Sequence, residues 1–304
     1  MMTTKRAMLL AVLVASTTGC LSSGGGNSAQ ESRAEPDTEA PRLERPAGVT
    51  ITRTSFGIPH IESPDFAGMG YGYGYVQAED NLCLLAEDTL TVRGLRARYL
   101  GGEGRYSIPS NDAEASNVDA DFFWRSVITD EAIEAFKSNS DPEVIAATKG
   151  YVDGYNQYLE EIRTGDHSGR HLACRNSDWL LPLTEDDMFR RYFRLAVLAS
   201  SSVFVEGIAT AQPPALGSVD AAAPDPDILG DMLESLDGAL PFPLSRELNI
   251  GSNMYALSKE ATRDGQSLLF GNPHFPWEKT ERLYLAHLKV GDRAEIMGAA
   301  LYGL

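Results

Sequence analysis

Ile250-Gly251-Ser252-Asn253-Met254-Tyr255-Ala256-Leu257, then a polar turn at Arg263-Asp264-Gly265-Gln266, then Ser267-Leu268-Leu269-Phe270, is the stretch on which the reading of the fold turns. Two apolar runs flanking a glycine-containing polar turn predict a β-hairpin. A further strand is expected from Arg282 to Val290, so strands dominate the end of the chain. Just upstream, from Ala211 to Pro243, the texture is different. Pro213, Pro214, Pro224, Pro226, Pro241 and Pro243 break helix there, while Asp220, Asp225, Asp227 and Asp231 keep the segment solvated. It reads as a linker or an excisable spacer.

Further back the periodicity changes. From Gly48, Val-Thr-Ile-Thr-Arg-Thr alternates and is β-branched, which predicts a strand, and Gly57-Ile58-Pro59-His60 is expected to turn the chain. Gly68-Met-Gly-Tyr-Gly-Tyr-Gly74 has glycine at every second position, and the spacing fails the dinucleotide fingerprint. It reads as close backbone packing beside aromatic rings, followed by a helix from about Val76 through Leu100 that offers Leu82, Leu85, Leu90 and Leu95 for burial. Helical spacing continues at 130–138, 142–163 and 185–203. The middle of the chain is therefore mostly helical, and nothing repeats at solenoid periods.

At 304 residues, 43% of them hydrophobic, the chain has ample length for a buried core. A net charge of −17 without any Lys/Arg stripe sets nucleic acid aside as a partner. Lys5 and Arg6, the apolar run from Ala7 to Ala15 and the small residues up to Gly19-Cys20 read as an export signal, too short to span and stay. Thr17-Thr18-Gly19-Cys20 resembles a bacterial lipobox, in which Cys20 is acylated; ordinary cleavage nearby is the alternative. Residues 21–45, poor in apolar side chains, are expected to be a flexible tether. In a compartment that permits disulfides, Cys83 and Cys174 either pair or stand as two isolated thiols. His167, His171 and Cys174 can be drawn as zinc ligands, but Gly165, Gly169 and their polar neighbours predict a loop that does not aim them together, so no metal site is assigned.

Taken together, Gly57-Ile-Pro-His60, Gly70-Tyr-Gly-Tyr-Gly-Tyr-Val-Gln-Ala-Glu-Asp80, Gly251-Ser-Asn253 and Gly271-Asn-Pro-His-Phe-Pro-Trp277 resemble the penicillin acylase family of N-terminal nucleophile hydrolases. Asn272-Pro-His-Phe-Pro-Trp277 with Met297-Gly-Ala-Ala-Leu-Tyr-Gly303 looks most like its aculeacin A and acyl-homoserine lactone acylase branch. The resemblance spans residues 48–304, in the family's order. It implies an α+β protein, an αββα sandwich assembled after self-cleavage. The chain then divides into signal 1–20, tether 21–45, helical α-chain 46–210, spacer 211–251 and the start of a catalytic β-chain at 252–304. The rest of that β-chain would be its partner. A structural calcium belongs to the wider family, with no residue here assigned to it.

The resemblance makes Ser252 the nucleophile. A serine hydroxyl is weak at neutral pH and needs a base within reach. A terminal serine carries one, because an α-amine has a pKa of about 7.7–8.0. That amine exists only after the Gly251–Ser252 bond is broken, and the same hydroxyl can break it by attacking the preceding carbonyl. Gly251 suits the step by crowding the carbonyl least. The dipeptide alone reads as a turn, since Gly217-Ser218 occurs without such surroundings. His274, 22 residues on and across the expected hairpin, matches a family position that orients or polarises the serine, or else holds a turn. Asn253 is assigned to backbone support. Phe275, Trp277 and Tyr302 are candidates to line an apolar acyl pocket or to pack the core.

By the same resemblance the oxyanion-hole donors, each worth about 2.7–4 kcal/mol, lie past Leu304, so residues 1–304 alone are expected to be inactive. The implied activity is hydrolysis of linear amides, removing an acyl chain from an N-acyl homoserine lactone or a lipopeptide. A β-lactam side chain is the alternative substrate. A non-catalytic lipoprotein of the same fold is the rival outside enzymes.

Overall fold

The computed structural model describes residues 46–213 and 251–303, all within one unit, Pro41–Leu304. The expected export signal with Cys20, the expected tether and residues 214–250 of the expected 211–251 spacer lie outside the described residues. In chain order the elements are β1 (Thr50–Arg53), β2 (Pro59–Ser63), α1 (Phe66–Arg93), α2 (Arg96–Leu100), β3 (Arg105–Ile108), β4 (Ala113–Ser116), α3 (Asn117–Val127), α4 (Asp130–Ser138), α5 (Pro142–Arg163), α6 (Glu185–Ala196) and α7 (Val205–Ala209). From residue 251 on come β5 (Gly251–Leu257), β6 (Leu268–His274), β7 (Leu283–Val290) and β8 (Ala294–Leu301). The architecture is α+β.

The glycine-rich run is not a prelude to the first long helix but its first turns. Asp65 caps α1, its side chain accepting from the Gly68 amide at 2.7 Å. The helix stops at Gly94, whose φ of 61° lies in the left-handed region that glycine adopts without penalty. It therefore starts ten residues before the expected Val76 and ends at Arg93, short of Leu100. What hid the start is that glycines are poor helix formers. Here they are kept because α1 and α5 touch backbone to backbone: a β-carbon at Gly70 would sit 2.0 Å from the Ala147 carbonyl oxygen, and one at Gly154 2.0 Å from that of Tyr71. Asn81 departs from helical geometry (φ −146°, ψ 38°) and kinks α1.

Asp141 caps α5, with Pro142 at the first helical position where its missing N–H is harmless. The expected helix at 185–203 is α6, opened by the Thr184/Asp187 capping box; it ends at Ala196, and Ser201–Phe204 is a 3-10 turn. The β3–β4 hairpin, α3 and β8 were not foreseen. Pro59-His60 begins β2 rather than turning; the turn falls at Gly57, φ 80°.

One sheet has the order β1-β2-β7-β8, with β2 and β7 parallel and the outer pairs antiparallel. Its inner side meets α1 through Ile61, Tyr73 and Tyr284, which share a core with Val76, Leu82 and Tyr155. A second core gathers Ile108, Phe123, Trp124, Ile133 and Phe189. A buried charge cluster joins α1 to α6. Asp88 meets Arg191 Nε at 2.8 Å and Arg194 Nη2 at 2.9 Å. Burial alone would raise the Asp88 carboxyl, but the two guanidinium groups outweigh it and hold it below the ordinary carboxylate value.

Candidate functional site

The hairpin expected at 250–270 is the β5–β6 ribbon, a two-stranded sheet of its own. Gly265, at φ 69°, and an Asp264 side chain that accepts from the Gln266 amide shape the turn. The register pairs Gly251 with His274, Ser252 with Pro273 and Asn253 with Asn272. Directly opposed residues share a face and neighbours alternate. Ser252 and Pro273 therefore stand on one face, and Gly251, Asn253, Asn272 and His274 on the other. Two contacts fix the site: the His274 amide donates to Ser252 Oγ at 3.3 Å, and Asn272 Nδ2 lies 2.9 Å from His274 Nε2. The hydroxyl is thus held by the His274 backbone rather than by its ring. Ser252, Asn253 and His274 are all exposed.

The three aromatic candidates do not gather around the serine. Phe275 turns into the second core. Trp277 is 91% exposed. Tyr302, 4% exposed, belongs to the first core, where its hydroxyl accepts from Asn81 Nδ2 at 2.7 Å. Asn81, at the kink of α1, thus meets Tyr302 just past β8. Three more bonds bind the same part of α1 to residues past the spacer: Tyr284 Oη donates to Asp80 at 2.6 Å, the Gly303 amide to Gln77 at 3.0 Å, and Arg282 to Asn81. The Gln-Ala-Glu-Asp segment of the family motif is therefore a seam between the two halves.

Cys83 and Cys174 are joined, with Cα atoms 5.7 Å apart. Cys174 is thereby removed as a thiolate ligand, while His167 pairs with Glu161 at 2.9 Å and His171 with the Tyr158 hydroxyl at 3.0 Å. Among the described residues no three His, Cys, Asp or Glu side chains converge on a metal-sized site.

The sequence reading placed no cavity among the helices. An apolar one of about 340 Å³ lies between α1 and α5, lined by Phe66, Met69, Val144, Tyr151, Tyr192 and Leu288; no ribbon residue lines it. A polar one of about 30 Å³, room for one water, is walled by Glu87, Asp88, Arg96, Arg194, Lys279 and Glu281. Burial pushes the Lys279 ammonium down and the Glu281 carboxyl up, the latter despite bonds from the Ser110 amide and hydroxyl. No sequence signal marked either cavity; Gly70, read from sequence as a packing glycine, lines the first.

The family model for penicillin amidase matches residues 48–304. The chain belongs to the penicillin amidase family. Within that family it is similar to aculeacin-A acylase of Actinoplanes utahensis, 36% identical over 83% of this chain and 31% of the relative. It is similar to acyl-homoserine lactone acylase PvdQ of Pseudomonas fluorescens, 37% identical over 84% and 30%. Penicillin G acylase of Escherichia coli is 29% identical over 38% of this chain and 12% of its own length. A solved structure of thermostable penicillin G acylase from Alcaligenes faecalis aligns with 63% of this chain and 84% of its own at 24% identity, TM-score 0.39. The chain spans about a third of the length of the first two relatives.

Proposed function

We propose that the chain is the leading part of an exported acylase that hydrolyses linear N-acyl amides through Ser252, freed as a chain terminus by self-cleavage after Gly251. The observation that carries this reading is the Gly251-Ser252 pair at the head of β5, its hydroxyl held by the His274 amide at 3.3 Å, in a chain of this family. In the maturation step Ser252 Oγ attacks the Gly251 carbonyl carbon. The C–N bond breaks, the departing nitrogen takes the hydroxyl proton, and a glycyl ester remains. Water opens that ester, leaving the Gly251 carboxylate and a Ser252 with free hydroxyl and amine.

In turnover the α-amine takes the hydroxyl proton as Oγ attacks the substrate carbonyl. The leaving amine then collects that proton, and water hydrolyses the acyl-serine to a carboxylic acid. The names of the relatives favour an acyl-homoserine lactone or an aculeacin-like N-acyl amide as substrate. The narrower similarity to penicillin G acylase supports a β-lactam side chain as the second reading. Acylation at Cys20 would tether the enzyme to membrane outside the cytoplasm.

Terminal sequencing of the purified full-length protein tests the reading. Two chains are expected, the second beginning Ser-Asn-Met-Tyr, and Ser252→Ala is expected to stay uncut and inactive on a panel of acylated amines. An uncut wild-type protein that hydrolyses amides, or a cut Ala variant, refutes the mechanism. An uncut, inert protein returns the chain to the non-catalytic class.

A further inference from the structure

The contact between Asn272 and His274 constrains what the histidine can do. A neutral imidazole has one N–H and one acceptor nitrogen. With the Asn272 amide N–H₂ 2.9 Å from Nε2, the contact is a hydrogen bond in the tautomer that carries the ring hydrogen on Nδ1. Such a ring has its sole acceptor already engaged, so it has none left for the serine proton. What it still offers is the Nδ1 donor. The register also sets this ring on the face of Gly251, opposite the residue whose loss creates the new amine, while the Ser252 hydroxyl stands on the other face and is reached by the His274 backbone.

We infer that Asn272 is a positioning residue that locks His274 as an Nδ1–H donor and so reserves the base role for the α-amine of Ser252. The inference rests on the acylase reading for its catalytic meaning, but the tautomer itself does not. A general-base histidine would need the opposite arrangement, with an acceptor at the distal nitrogen to hold an N–H there and leave the near nitrogen free. Asn272→Asp supplies that acceptor, whereas Asn272→Ala supplies nothing.

The test takes the full-length protein carrying Ser252→Ala, with ¹⁵N-labelled histidine, and reads the His274 tautomer by NMR. The expected ring is Nδ1–H with Asn272, mixed with Asn272→Ala, and Nε2–H with Asn272→Asp. In the processed enzyme, kcat on the best acyl amide is expected to fall about tenfold with Asn272→Ala, the loss of one positioning hydrogen bond, with KM nearly unchanged. Asn272→Gln, which keeps the donor, is expected to restore part of that loss. An Nε2–H ring in the parent protein, or a tautomer unmoved by Asn272→Asp, overturns the inference, even where acylase activity stands. A protein with the expected tautomer that hydrolyses no amide overturns the acylase reading and leaves the tautomer lock intact. If Asn272→Asp fails to fold, the parent and Asn272→Ala spectra decide alone.

Discussion

Replacing Gly150 by alanine sets two effects of opposite sign against each other. Gly150 lies inside α5, where alanine is favoured over glycine by about 1 kcal/mol of helix propensity, part of which is the smaller entropy of the unfolded chain. Against this, the new methyl would lie 1.9 Å from the Ala67 carbonyl oxygen and 2.9 Å from the Tyr71 nitrogen. Both are α1 backbone atoms, so no side-chain rotation relieves them. Reaching the 3.4 Å of ordinary contact requires the helices to part by roughly 1.5 Å, and that shift also opens the contacts at Gly70, Gly74 and Gly154. Overpacking typically costs about 1–3 kcal/mol, and a rigid backbone obstacle belongs at the upper end. The net expectation is a loss of about 2 kcal/mol or more. Urea unfolding of the full chain reads it as a lower midpoint at unchanged slope. Gly169→Ala, where nothing stands within 4 Å, serves as the control and is expected to move stability by less than about 0.5 kcal/mol. A Gly150→Ala protein as stable as the parent, or more so, would refute the backbone-contact account of the glycine run.

Two more perturbations follow from the buried chemistry. Asp88→Asn leaves Arg191 and Arg194 buried without their counter-ion and is expected to destabilise by about 3–5 kcal/mol. Because the folded carboxyl titrates below its unfolded value, its contribution is complete above about pH 4 and disappears as pH falls through the folded value; an acid series in which parent and variant never converge would contradict this. Reducing the Cys83–Cys174 bridge, which closes a span of 91 residues, is expected to remove about 2–4 kcal/mol, and an unchanged melting temperature under reductant would show that the bridge adds nothing.

Elements whose period was carried by side chains were legible in the sequence. α4, α5 and the start of α6 stand where spacing of three and four put them, and the β5–β6 hairpin stands where its polar turn did. Elements defined by contacts with distant residues were not. The first turns of α1 look unlike helix because their glycines are selected by α5, some 80 residues away. Tyr302 looked like a pocket aromatic because nothing local shows that Asn81, itself at a helix kink, takes its hydroxyl. Likewise Glu281 and Asp88 sit in unremarkable sequence, and only packing turns them into members of a buried charge cluster. At the site, sequence supplied the residue types and the return across the hairpin, but strand alternation decided that the His274 backbone, not its ring, reaches the serine.

The sheet order has a mechanical corollary. Because β2, from before position 251, lies beside β7, from after it, the proposed hydrolysis there would sever the covalent thread without touching the lateral bonds between those strands. In an uncut chain the two halves find each other as parts of one molecule. A cut molecule, once denatured, would have to reassemble from two separate pieces, and recovery would become second order in protein. Maturation on this plan acts as a ratchet: the fold is built under unimolecular conditions and then kept by a barrier to its loss rather than by ease of return.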